Sequence, residues 1–274
     1  MSTAYFLGCS FISVGETDDH EILGISFEEC NKLKENTNIK DLTEMMAHKL
    51  IREKNMDPFA AYSYTRFSCK KNSWAITLSE LLNVNCINLA ESGGSMQECV
   101  FNLKLVEEKL TKDDYVFLGL PPIARLFFLT EDLTIPDRIM LANPHGNERW
   151  DTLISFYPDI QLDKEYFNAI DDIIRICRCK GVKLFILPAY TEIHSVSEKL
   201  AEKKIKLQHS EFFLKLLDFF SEIENKISEY YIDIPLIKFQ YDFLPLCGYK
   251  HPNIEAHRAY GIEVYKHLKE NKYV

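Results

Sequence analysis

Short apolar runs alternate along this chain with stretches of helical periodicity, and that alternation constrains the fold more than any other feature. Ala4-Tyr5-Phe6-Leu7, Asn85 to Ala90, Asp114 to Leu118 and Val182 to Leu187 read as buried strands. Between them, apolar residues recur at helical spacing. Leu42, Met45, Met46, Leu50 and Ile51 mark a helix over 41–54 that Asp57-Pro58 ends. Ser73 to Leu82 and Met96 to Leu110 read as two more helices. Tyr166, Ile170, Ile173, Ile174 and Cys177 define an amphipathic helix ending near Gly181. Phe212 to Ile227 is a long apolar helix, and Ile254 to Leu268, which contains His257, is the last. Strands that alternate with helices pair in parallel and are covered on both faces, so the expected fold is three-layer α/β/α with a sheet of about five strands. Ile234 to Phe239 is the expected fifth strand, an edge strand because it contains Pro235.

A chain of 274 residues with 46% hydrophobic content can bury a full core. The expected organisation is a single domain over 1–274, with insertions near 16–40 and 120–160. Lys and Arg total 32 against 41 Asp and Glu, for a net charge of -9. Nucleic-acid backbones and anionic membranes both require a positive surface, so neither is an expected partner. The basic cluster from Lys199 to Lys206 is interleaved with Glu198 and Glu202, as on a solvated helix face.

No apolar run approaches the roughly 20 residues of a membrane span, and no signal-peptide pattern opens the chain. The eight cysteines are scattered without a Cys-x-x-Cys pair, which fits reduced thiols and a cytoplasmic location. Asp18-Asp19-His20-Glu21 has consecutive acidic and imidazole groups but no partner cluster at ligand spacing, so it reads as a solvated loop. No metal or cofactor is expected.

Chemistry-bearing residues gather where strands stop. Gly8-Cys9-Ser10 follows the first strand, and glycine there lets the backbone turn sharply. Open α/β folds place their ligands at the carboxyl ends of strands, so Ser10 is a candidate nucleophile, with a turn or cap role as the plain alternative. Glu91-Ser92-Gly93-Gly94-Ser95 joins the second strand to a helix N-terminus, where unpaired N–H groups attract negative charge. Gly119-Leu120-Pro121-Pro122 follows the third strand. After it comes an aromatic-rich region with Arg125, Phe127, Phe128, His145 and Trp150, which is either a substrate wall or local core.

Together these pieces resemble the SGNH (GDSL-like) hydrolases. Gly8-Cys9-Ser10 resembles the first block, with Cys where Asp is usual; Asn88 to Ser95 resembles the second. His251-Pro252-Asn253 before the last helix resembles the final one. The blocks occur in the family's order and span nearly the whole chain. The resemblance implies a flavodoxin-like sheet and a serine esterase acting on O-acyl esters, often acetyl groups on sugars. Ser10 would attack, and His251 would take its proton and return it to the leaving group. The oxyanion would be held by the Ser10 and Gly93 N–H groups, with Asn88 as a further donor. Arg125 is a candidate substrate-binding residue or a second donor, with a structural ion pair as its plain reading. The implied partner is a small-molecule or glycan acyl ester.

Three departures stand out. Gly248 occupies the position three before the histidine where the family has Asp, Leu120-Pro121-Pro122 replaces the third block's Asn, and Gly15 lies one residue later than usual. Loss of the orienting carboxylate can cost about 10⁴ in rate, and one oxyanion donor about 10²–10³. Asp242 is the candidate replacement for the carboxylate. His257 is a second-choice base with a packed or surface histidine as its plain reading, and Cys9 is expected to point away from the site. An acyltransferase, or a binding domain that has lost catalysis, are the alternatives.

Overall fold

The computed structural model describes residues 2–8, 23–26, 28–29, 32–33, 39–55, 73–90, 94–121, 125–129, 136–140, 159–188, 211–236, 239 and 254–274. Among these residues, strands β1 (Thr3–Leu7), β2 (Asn85–Asn88), β3 (Tyr115–Gly119), β4 (Arg125–Leu129), β5 (Pro136–Met140) and β6 (Lys183–Leu187) accompany six α-helices. These are α1 (Ile39–Lys54), α2 (Trp74–Leu82), α3 (Met96–Val106), α4 (Asp159–Lys180), α5 (Glu211–Ser228) and α6 (Ile254–Glu270). β1, β2, β3 and β6 form one parallel sheet in the order β2-β1-β3-β6. The fold is α/β with a parallel sheet, and its strand order is the flavodoxin-like one.

Alternation along the strands feeds two cores. Tyr5, Leu7, Val116, Leu118, Leu184 and Ile186 pack with buried residues of α3, α4 and α5. Ala4, Phe6, Phe117, Phe185 and Leu187 face the other way, onto α2 and α6. Successive side chains of a strand point to opposite faces, so a strand covered on both sides needs apolar residues at every position. The register aligns Phe6, Phe117 and Phe185 across three strands. Their rings stack at 5.0 Å and 5.3 Å, and Trp74 meets Phe6 edge-on at 5.1 Å.

The amino ends of β1 and β3 are tied by Asp114. Its Oδ1 accepts from Thr3 N at 2.7 Å, and its Oδ2 accepts from Thr111 N at 2.8 Å and from Thr111 Oγ1 at 2.9 Å.

One expectation needs correction. Residues 234–236 and 239 are not part of a fifth strand, and 237–238 lie outside the described residues. The outer edge of β6 is met in parallel by a single bridge, Ile186 to Tyr231, with Ile186 N donating to Tyr230 O and Ile232 N to Ile186 O, both at 2.9 Å. Leu236 is already helical. Pro235 carries no N–H with which to continue a ladder, so pairing stops before it. Within 120–160, β4 and β5 pair antiparallel, with Arg125 opposite Met140.

Candidate active site at the carboxyl edge of the sheet

β1 is central, and its neighbours β2 and β3 are reached by crossovers that run in opposite directions from it. The carboxyl ends of β1 and β3 therefore flank the topological switch point, where open α/β sheets leave a crevice. β1 is followed directly by Gly8, which is buried and has φ +147°, a conformation that side chains with a Cβ rarely adopt. Glycine is required at that turn.

The exit from β2 is braced at each step. Leu89 N donates to Phe6 O at 2.8 Å, which extends the β1–β2 ladder past Asn88. Asn102 Nδ2 of α3 donates to Leu89 O at 3.0 Å, and Ala90 N donates to Asn88 Oδ1 at 3.1 Å. The latter is the local side-chain-to-backbone bond that suits asparagine to turns. Beyond that turn, Gly94 and Ser95 are buried, and Ser95 Oγ accepts from Glu98 N at 3.3 Å as the N-cap of α3. Glu98 is itself buried in the first turn, where a carboxylate suits the helix dipole.

The exit from β3 is closed differently. Leu120 N donates to Leu187 O at 2.9 Å, and Tyr166 Oη donates to Pro121 O at 2.8 Å. Leu120 and Pro121 are buried, so the N–H after Gly119 is engaged within the sheet.

Ser10, Gly93, Asp242 and His251 lie outside the described residues, as do Cys9 and Gly248. Arg125 opens β4, and its side chain is not among those described. Asn88 ends β2 with its carboxamide directed to Ala90 N and, through Nδ2, to Ser73 Oγ at 3.5 Å.

His257 is fully buried, and its Nδ1 accepts from Trp74 N at 3.3 Å. Sequence reasoning left that role unread, although His257 shares a helical stripe with Tyr260, Gly261, Val264 and Leu268. No group of three or more metal-ligating side chains occurs among the described residues, and no helix there is long and apolar enough to cross a membrane. Burial pushes the thiol of Cys86 in β2 upward, partly offset by a hydrogen bond with Ser79.

No protein-family model matches this sequence, and no curated protein does. Among solved structures, the chain is similar to the psychrotrophic esterase EstA from Pseudoalteromonas sp., inhibited by monoethylphosphonate. That likeness covers 100% of both chains at 10% identity and a TM-score of 0.47. It is similar to a carbohydrate esterase described as having divergent catalytic and non-catalytic binding functions in its active site. There 98% of this chain and 68% of the other are covered, at 11% identity and a TM-score of 0.48. A member of the lipolytic protein G-D-S-L family from Veillonella parvula is similar over 98% of this chain and 100% of its own, at 13% identity and a TM-score of 0.42. What this chain's edge can do chemically follows from its own residues.

Proposed function

We propose that this chain is a cytoplasmic, single-domain serine esterase of SGNH type that hydrolyses O-acyl esters, acetyl-type esters of carbohydrates among them. The observation that carries the reading is the Gly8 turn. It lies at the carboxyl end of β1, two residues past the Phe6 carbonyl that accepts from Leu89 N at the exit of β2, and two residues later the sequence reads Ser10. α6 starts at Ile254, three residues after His251. Helices of a parallel α/β layer run against the strands, and the bond between His257 and the first N–H of α2 keeps the start of α6 near the end of β2.

In this reading Ser10 Oγ attacks the ester carbonyl while His251 removes its proton. The negative oxygen that develops is held by the Ser10 and Gly93 N–H groups, with Asn88 nearby and Arg125 toward the substrate. His251 then protonates the leaving alcohol, and water, activated by the same imidazole, releases the acid from the acyl-enzyme. Asp242 orients the imidazole in place of the carboxylate missing at Gly248. The scattered cysteines, with no Cys-x-x-Cys pair in the sequence, fit a reducing compartment.

Labelling with a fluorophosphonate, followed by peptide mapping, tests this. One adduct on Ser10, lost in Ser10→Ala and in His251→Ala, is expected. No adduct on folded protein overturns the reading.

A second reading is favoured by one specific observation. Leu120 N–H is engaged by Leu187 O, so the backbone after β3 does not substitute for the missing Asn. A domain of this fold that binds an ester or glycan without cleaving it would bind the ligand and give no adduct. An acyltransferase would give the Ser10 adduct and pass its acyl group to a sugar hydroxyl in preference to water.

A further inference from the structure

The start of α2 is capped in an atypical way. An N-cap serine ordinarily turns its hydroxyl onto the N–H of the second or third helical residue. Ser73 holds the extended N-cap conformation, φ -73° and ψ 155°, but makes no side-chain capping bond. Its hydroxyl instead accepts from Asn88 Nδ2 at 3.5 Å, at the exit of β2. The first N–H of the helix, Trp74 N, is taken by the Nδ1 of His257 on α6. An imidazole that accepts on Nδ1 carries its proton on Nε2 when neutral.

The other side of the Trp74 residue is gripped by the same helix. Gly261 lies one turn beyond His257, and a Cβ there would stand 3.0 Å from Trp74 O and 3.1 Å from Thr77 Cβ. α6 therefore meets α2 through both ends of one residue, by a hydrogen bond at its N–H and by close approach at its C=O. Three segments distant in sequence converge here: the entry to α2, the exit of β2 and the first turn of α6. All the groups involved are buried or half-buried.

We propose that His257 is a positioning residue: through Trp74 N it fixes the register of α6 on α2, and through Ser73 and Asn88 it ties the helix that follows His251 to the exit of β2. The catalytic part of this inference rests on the esterase reading above; the brace itself does not. Its consequence is that one imidazole holds the start of α6 to the entry of α2 and the exit of β2, the elements whose flanking residues carry the base and an oxyanion donor in the esterase reading.

The test uses the full chain as wild type, His257→Leu, His257→Asn and Gly261→Ala. Peptide-resolved hydrogen exchange is read with hydrolysis of p-nitrophenyl acetate. His257→Asn presents Oδ1 near the position of the lost Nδ1 and is the conservative rescue. In His257→Leu, exchange is expected to rise about tenfold or more in peptides covering 73–77 and 88–90, with 211–228 unchanged. The kcat is expected to fall about 10- to 100-fold with KM within about twofold, the cost of a displaced catalytic group. His257→Asn should recover most of both losses.

Should His257→Leu fail to fold, Gly261→Ala, which pushes the same helix off Trp74, is expected to give the same paired signature. Exchange that rises equally in 211–228, or a leucine variant indistinguishable from the asparagine one, overturns the positioning role. So does faster exchange at 88–90 with kcat unchanged. If wild-type protein shows no Ser10-dependent hydrolysis, the esterase reading fails, and exchange alone then decides the brace: unchanged rates at 88–90 in both His257→Leu and Gly261→Ala overturn it.

Discussion

Replacing Asp114 with asparagine changes almost no volume and removes one acceptor from a site that uses both oxygens. Asp114 is buried, and its carboxylate accepts three hydrogen bonds, from Thr3 N, Thr111 N and Thr111 Oγ1. In Asp114→Asn the remaining Oδ1 can keep one backbone donor. The new NH₂ then faces the other, and only the Thr111 hydroxyl can rotate to accept from it. A hydrogen bond to a charged group contributes about 1.5–3 kcal/mol and a neutral one about 0.5–1.5 kcal/mol. Losing one charged bond outright and weakening a second amounts to about 2–4 kcal/mol. With a urea dependence near 3 kcal/mol/M, the unfolding midpoint should fall by about 1 M at constant slope. Circular dichroism at 222 nm against urea reads this directly. A midpoint displaced by less than about 0.2 M, with the slope unchanged, would refute the claim that this carboxylate clamps the starts of β1 and β3. The far ends of those strands flank the candidate site, and the Ser10 adduct should still form in the variant at low urea.

Three further outcomes follow from single positions. Gly8→Ala places a Cβ at φ +147°, which costs about 1–3 kcal/mol of backbone strain, so thermal stability and Ser10 labelling should fall together; full retention of both would count against the strained turn. Tyr260→Phe removes a fully buried hydroxyl that has no hydrogen-bond partner among the described residues, so its unfolding free energy should stay within about 1 kcal/mol of wild type or rise, and a larger loss would reveal a partner. Burial pushes the Cys177 thiol up to about 12, whereas Cys179 is exposed. Maleimide at pH 8 should therefore modify Cys179 and spare Cys177 until urea unfolds the chain, as peptide mapping would show.

The parallel sheet was legible because its strands are buried on both faces and so read as continuous apolar runs, such as Val116-Phe117-Leu118. The helix over 41–54 ends at Lys54, and Asn55 takes φ +49°, just ahead of Asp57-Pro58. The outer bridge at Tyr231 was misplaced because a single paired residue leaves no period to read, and the more apolar stretch beyond it attracted the strand. Neither β4 nor β5 was expected: β4 lies in a run read only as aromatic-rich, and β5 opens with Pro136, Asp137 and Arg138, a composition that imitates a loop.

At the site, the strand ends and the glycine turn were readable as local chemistry. The role of His257 was not, since a histidine on an apolar stripe looks the same whether it packs passively or caps another helix. The partner it caps lies 183 residues away, a separation that no local pattern encodes.

The division of each strand between two cores also governs how this sequence can drift. Phe6 and Leu7 are adjacent in the chain yet belong to different cores, as do Phe117 and Leu118. Substitutions on opposite faces share few partners, so their effects should sum, and each layer can accumulate changes without reference to the other. A one-residue insertion or deletion inside β3 would instead exchange the two sets, sending Phe117 into the layer sized for Val116 and Leu118 and breaking the three-ring stack. Lineages descended from such a chain should therefore vary freely in letters within the strands while keeping strand lengths fixed, with length changes collecting in the segments between them.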